Sequence, residues 1–259
     1  MRVFLAAATF MLFGGGAHAG SDGARPDEPK AATAESAGWQ FSVSPYVWAT
    51  GASGKAGQFN LPAARMTSSF GDIWHELDFA FMGAFEGRRD RYTVFGDLFY
   101  ARMSDTDSNP QGHLRKDIDV TMKTFSGLIG GGYSLLANEH GNLDIVAGAR
   151  VWSVSTRLSF DGGLLNGTKR RDSATWIDAV AGFRGTRFIT DRFYVTGWAT
   201  AGGGGAKLDW DLTGAVGYKI GDHFSVAAGY RAMGVDYSHR GFIYDMVQRG
   251  PIIGLTYKF

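Results

Sequence analysis

Gly250–Phe259 reads Gly-Pro-Ile-Ile-Gly-Leu-Thr-Tyr-Lys-Phe, and its period decides the fold. From Ile253 the apolar and aromatic residues take alternate positions, Ile253, Leu255, Tyr257 and Phe259, with Gly254, Thr256 and Lys258 between them. A period of two describes a strand with two unlike faces. Chain ends of soluble domains are commonly frayed and polar. Here the apolar face is complete to the last ring, as in the closing strand of a membrane-spanning barrel, where lipid covers one face and the lumen the other. The expectation is that Ile253, Leu255, Tyr257 and Phe259 face lipid while Lys258 faces inward.

The same alternation runs back through the chain. Phe224, Val226, Ala228 and Tyr230 precede Arg231, and Leu208, Trp210, Leu212, Gly214, Val216 and Tyr218 oppose Asp209 and Asp211. Ile177, Ala179, Ala181 and Phe183 oppose Asp178 and Arg184, while Leu143, Ile145, Ala147, Ala149 and Val151 oppose Asp144 and Arg150. Tyr92, Val94, Gly96, Leu98 and Tyr100 oppose Asp97, and Phe79, Phe81 and Phe85 oppose Glu86. Ile118 to Leu135 forms a long strand whose inner face is expected to carry Asp119 and Lys123. Tight turns near 88–91, 136–142, 189–192 and 221–223 alternate with long connections at 51–77, 104–117 and 161–172. That asymmetry and an even strand number mark transmembrane barrels. The reading is an all-β, single up-and-down antiparallel barrel of about ten strands. Eight and twelve are the alternatives, twelve if a hairpin within 51–77 joins the wall. Ser69-Phe70-Gly71-Asp72 resembles a capping box, and Phe70, Ile73, Trp74 and Leu77 follow at helical spacing, so a short amphipathic helix is expected there. A soluble β-sandwich also alternates. Strands of ten or more residues and the aromatic end favour the barrel.

The other end of the chain agrees. Met1-Arg2, an apolar run from Val3 to Phe13 and Ala17-His18-Ala19 describe a cleavable signal peptide over 1–19, and export to the outer membrane of a Gram-negative cell follows as an expectation. Gly20 to Gly38 is polar and lacks periodicity, which reads as a flexible periplasmic leader before a barrel over 39–259. No apolar run approaches the roughly 20 residues a transmembrane helix needs. With no cysteine there is neither a lipid-anchoring thiol nor a disulfide framework. A net charge of +1 leaves no electrostatic footprint for nucleic acid. No cofactor is implied: Gly202 to Lys207 lacks the ending of a phosphate loop, and no His or Cys pattern has metal-ligand spacing.

Several pieces together resemble a family of proteobacterial outer-membrane β-barrel proteins of porin-like or opacity-like type. They are Trp176-Ile177-Asp178, Gly182-Phe183-Arg184, Gly229-Tyr230-Arg231, Asp236-Tyr237, and Gly250-Pro251 followed by Gly254 and Phe259. Pro45-Tyr46-Val47-Trp48 and Leu77-Asp78-Phe79 are similar as well, so the resemblance covers most of Trp39 to Phe259. It departs at Thr200-Ala201-Gly202, where relatives tend to carry an Asp before the glycine run. The resemblance implies fold and location, with outer-membrane lipids and the barrel assembly machinery as partners, and no particular reaction.

The inward-facing set is Glu86, Asp97, Lys123, Asp144, Arg150, Asp178, Arg184, Asp209, Asp211, Arg231 and Lys258. Unpaired charges in a low-dielectric interior are costly, so a lumen largely filled by mutually satisfied charges is expected. The alternative is a small pore for a polar solute. For hydrolysis only His239 with Asp236 and Asp245 offers a water-activating group, in the manner of the omptin proteases, with Asp105 and Asp107 as a second pair. Loop Asp and His residues serve solvation too, so an enzyme is the lesser reading, beside a surface adhesin or ligand binder built on the long loops. Finally, Pro45 and Pro251 lie in strands that a closed barrel must pair, at similar expected depth, and neither has an N–H for the ladder. A weak or bulged closing seam is expected there.

Overall fold

The computed structural model describes residues 38–59, 62–108, 117–162 and 166–259. The expected signal peptide and nearly all of the leader lie outside them. Among the described residues, twelve strands and one short helix follow in order. They are β1 (Gln40–Trp48), β2 (Gly51–Gly57), β3 (Ala64–Ser68), α1 (Phe70–Glu76), β4 (Leu77–Arg89), β5 (Tyr92–Ser108) and β6 (Asp117–Asn138). Then come β7 (Gly141–Asp161), β8 (Lys169–Phe188), β9 (Phe193–Gly204), β10 (Leu208–Lys219), β11 (Phe224–His239) and β12 (Phe242–Lys258). Every ladder is antiparallel between sequence neighbours from β4 to β12, and β1 pairs with both β4 and β12. This closes a ten-stranded barrel, with β2 and β3 as two further strands outside the ring. Closure leaves backbone groups paired within the wall, the condition for a sheet to stand in hydrocarbon.

The outer face is apolar where the alternation requires it. Phe41, Val43, Val47, Phe79, Phe81, Phe85, Leu98, Ile145, Ile177, Phe183, Leu212, Val216, Ile253, Leu255 and Phe259 are all exposed. Soluble proteins rarely expose apolar surface on this scale, so lipid is the fitting solvent. Rings gather at the end carrying the tight turns: Tyr92 on Tyr133, Phe193 on Tyr218, Phe224 on Tyr257, and Tyr257 on Phe259. Such a girdle marks the membrane interface of a barrel.

The segment before β4 is resolved into three parts. β2 continues the line of β1 along β12, from Gly51 opposite Arg249 to Gly57 opposite Ile243. β3 folds back on β2, and neither is paired with β4. The 51–77 hairpin thus extends the wall beyond the ring without entering it. α1 has the expected capping box, with the Asp72 amide donating to Ser69 Oγ at 3.3 Å and the Ser69 amide to Asp72 Oδ2 at 2.8 Å. Phe70 and Trp74 lie together on its exposed side, ring centroids 5.7 Å apart.

The seam, expected to be weak or bulged, is interrupted and not bulged. Register across β1–β12 and on into β2–β12 is constant, so there is no bulge. Ladder partners are instead missing at Ser44–Pro45 and again at Ala49–Thr50, opposite Gly250–Pro251. Across the second gap the Ala49 amide still donates to the Pro251 carbonyl, at 2.9 Å. The prolines are not at equal depth, because Pro251 stands opposite Ala49, four positions along from Pro45. On the other side of β1, pairing with β4 ends at Pro45 opposite Gly83. Above it, among the described residues, Leu77 to Met82 of β4 pair with β5 alone.

Candidate functional site

The lumen is divided into three layers by which residues the alternation turns inward. At mid-height sits an ion network with a fully buried centre and a partly buried edge at Asp97 and Tyr46. Arg150 on β7 places Nη1 2.6 Å from Asp209 and Nη2 2.9 Å from Asp211, both carboxylates coming from β10. Arg231 on β11 grips Asp211 with Nε at 3.1 Å and Nη2 at 2.7 Å, and reaches Asp97 on β5 at 2.8 Å. Tyr46 on β1 accepts from Arg231 Nη1 at 2.8 Å and donates to Asp97 at 2.9 Å. Arg231 also lies over the rings of Trp48, Trp198 and Tyr46, at 5.1, 5.3 and 5.8 Å. Arg150, Arg231, Asp209 and Asp211 are each at most 1% exposed. Two guanidiniums serve the three carboxylates of this network. Asp178 is instead held by neutral donors, Trp176 Nε1 at 3.0 Å and the Ala206 amide at 2.7 Å. Trp152 Nε1 completes Asp209 at 2.8 Å.

Above the network, toward the long-loop end, the lumen is filled by rings. Trp176 stacks on Tyr237 with centroids 4.0 Å apart and on Trp152 at 6.0 Å, while Trp48 meets Phe99 edge-on at 5.8 Å. Tyr244, Met233, Met246 and Val154 pack around them. Aromatic pairs of this geometry add to the burial of their large apolar areas. The expected filling by charge is therefore corrected for this half: the plug is aromatic.

Below the network the lumen opens into a cavity of about 530 Å³. Its walls include Glu86, Arg88, Arg184, Lys219, Lys258 and Tyr194. A second ion cluster lies on this side. Arg88 holds Asp144 through Nη2 at 2.6 Å and Nη1 at 3.3 Å, and Ser134 and Asn142 donate to the same carboxylate. Arg88 and Arg184 share Glu86, at 3.3 and 2.8 Å.

Of the twelve inward charges expected from sequence, ten face the lumen. Lys123 and, of the same parity on β6, Asp119 do not. Thr124, Ser126 and Leu128 are the buried, inward neighbours of Lys123 on β6, so alternation turns Lys123 to the outside, where it is exposed. Beyond the belt lipid no longer excludes charge from the outer face, so a charged residue there does not mark the inner one. Arg88 was missed because the basic run 88–91 reads as a turn. It is the second-last residue of β4, and its parity with Glu86 sends it inward.

The hydrolytic set is not brought together. Asp236 and Asp245 are cross-strand partners on the outer face of β11 and β12, where Lys207 Nζ lies 4.0 Å from Asp236. His239 is three positions beyond Asp236, of opposite parity, and exposed at the hairpin tip. The side chain of Asp107 lies outside the described residues. No group of three or more His, Asp or Glu side chains suited to a metal occurs among the described residues.

No protein-family model and no curated protein matches the chain. Among solved structures it is similar to the outer membrane protease OmpT from Escherichia coli, at 12% identity and a TM-score of 0.54 over 85% of this chain and 97% of that one. The translocator domain of the autotransporter NalP from Neisseria meningitidis aligns at 13% identity and a TM-score of 0.47, over 88% of this chain and 90% of that one. The OmpT likeness shows a shared barrel fold.

Proposed function

We propose that this protein is an integral outer-membrane barrel with a sealed lumen, serving as a structural or periplasm-facing binding element rather than as a diffusion pore. The observation that carries this is the layering: a buried, mutually satisfied ion network backed by stacked Trp152, Trp176 and Tyr237. A conducting lumen needs a continuous water path, whereas here the charges are spent on one another. Location is supported by the apolar belt and the aromatic girdle, and by the long strands β5–β8 that end in the longer loops. By the usual asymmetry those loops face outward and the tight turns face the periplasm, which puts the 530 Å³ cavity on the periplasmic side. Outer-membrane lipid surrounds the barrel, and the assembly machinery reads its closing strand with Phe259.

The hydrolase reading gains nothing from the likeness to a protease, since His239, Asp236 and Asp245 do not converge. Density fractionation of cells should place the protein in the outer-membrane fraction. Proteoliposomes carrying it should resist swelling in small sugars and amino acids. Recovery in the inner membrane, or swelling at porin-like rates, overturns the proposal.

A further inference from the structure

Where β5 to β8 rise beyond the apolar belt, their outer wall changes character in a fixed order. On β7 the outward positions run from Val151 through Ser153 and Ser155 to Arg157. On β8 they run from Ile177 through Thr175 and Ser173 to Arg171. Thr175 donates to Ser153 at 3.0 Å, and Arg171 Nε to Ser155 at 3.2 Å. Arg157 and Arg171 are direct cross-strand partners, as are Arg102 and Lys123 on β5 and β6. Lys123 lies opposite Ser155, diagonal to Arg157. All four cations are exposed. Like charges directly opposite one another destabilise a sheet, so two such pairs side by side call for counter-charges. Asp78 supplies one to Arg102 at 3.1 Å. Asp119 shares this face nearer the loops, opposite Ser159.

From this we infer that the outer wall of β5–β8 is a docking surface for a phosphorylated glycolipid of the surrounding outer leaflet. The inference rests on the outer-membrane reading for its setting. The order of side chains selects the partner. In a glycerophospholipid the phosphate stands next to the acyl chains, at the depth of Ser153 and Thr175. Here two rows of hydroxyls separate the apolar belt from Arg157 and Arg171. A lipid whose sugar carries the phosphates fits that spacing: acyl chains on Val151 and Ile177, sugar hydroxyls on the Ser and Thr rows, phosphates on the arginines. The guanidinium fork binds phosphate through paired hydrogen bonds. Four strands span three strand spacings, roughly 14 Å, wide enough for one such headgroup.

The test uses the folded protein in a zwitterionic detergent, with binding measured by native mass spectrometry. The probes are bisphosphorylated lipid A, the same lipid stripped of both phosphates, phosphatidylglycerol and inorganic phosphate. Wild-type protein should hold bisphosphorylated lipid A at least tenfold more tightly than the other three. Arg157→Gln/Arg171→Gln should lose about tenfold or more, while Arg89→Gln, which removes a cation at the opposite end of the barrel, should lose nothing. If the double variant does not fold, as judged by heat-modifiable gel mobility, Lys123→Gln is measured in its place and should lose severalfold. Equal binding of the dephosphorylated lipid, phosphatidylglycerol or inorganic phosphate overturns the assignment, as does undiminished binding by the variants. Because binding is read in micelles, failure here is separable from failure of the outer-membrane location, which fractionation reads alone.

Discussion

Replacing Arg150 by Met tests the ion network at its hinge. The side chain is 1% exposed, and its two carboxylate partners are fully buried. Asp211 keeps Arg231 after the change, with contacts at 2.7 and 3.1 Å. Asp209 keeps only the Trp152 indole N–H at 2.8 Å. Stranding one buried carboxylate costs about 3–5 kcal/mol, which is on the order of two to four decades in the unfolding equilibrium. The assay is reversible denaturant unfolding in lipid vesicles, followed by tryptophan fluorescence and heat-modifiable mobility. Arg150→Met should shift the curve by that amount, and Arg150→Met/Asp209→Asn should recover half or more, because the stranded charge is gone. A single-variant loss below about 1 kcal/mol would refute the claim that these groups satisfy one another in a dry interior.

Trp176→Ala removes the centre of the ring stack and should cost about 3–5 kcal/mol in the same assay. Lys123→Met and Arg184→Met should separate sharply: the outward Lys123 should change stability by no more than about 0.5 kcal/mol, whereas Arg184 leaves Glu86 short of a partner and should cost clearly more. At α1, hydrogen bonds from the Ser69 amide and hydroxyl hold the Asp72 carboxyl below its ordinary range. A depressed pKa means that the cap is intact above the unfolded value and lost as pH falls through the folded one. Protection of the Ile73 and Trp74 amides, taken relative to the intrinsic exchange rate at each pH, should therefore fall below about pH 4, the ordinary Asp range, and be independent of pH there in Asp72→Asn.

The barrel was legible because lipid enforces a strict rule. Within the belt, every outward residue must be apolar, so Ile253, Leu255 and Phe259, or Ile177 and Phe183, betray their strands at once. Carrying that parity inward located Arg150, Asp209, Asp211 and Arg231, although sequence offered no way to see which would pair. The rule weakens where strands leave the membrane. Lys123 faces outward for that reason, and the alternation as read from sequence assigns no inward role to Trp152, Trp176 and Tyr237, which are buried in the lumen. Parity counted up from Asp144 and Arg150 on β7 does place Trp152 inside, so the signal was present. The fate of 51–77 rested on pairing β2 with β12, a contact about 190 residues apart in sequence, which no local pattern encodes. Pro45 and Pro251 showed where amides were missing but not how far apart the gaps would fall.

Single-channel recording in a planar lipid bilayer tests the sealed lumen most directly. Folded wild-type protein should insert and give no discrete conductance steps above the membrane baseline at 1 M salt and about 100 mV. Reproducible, ohmic steps from the wild-type barrel would contradict a lumen closed by Arg150, Arg231 and the Trp152–Trp176–Tyr237 stack.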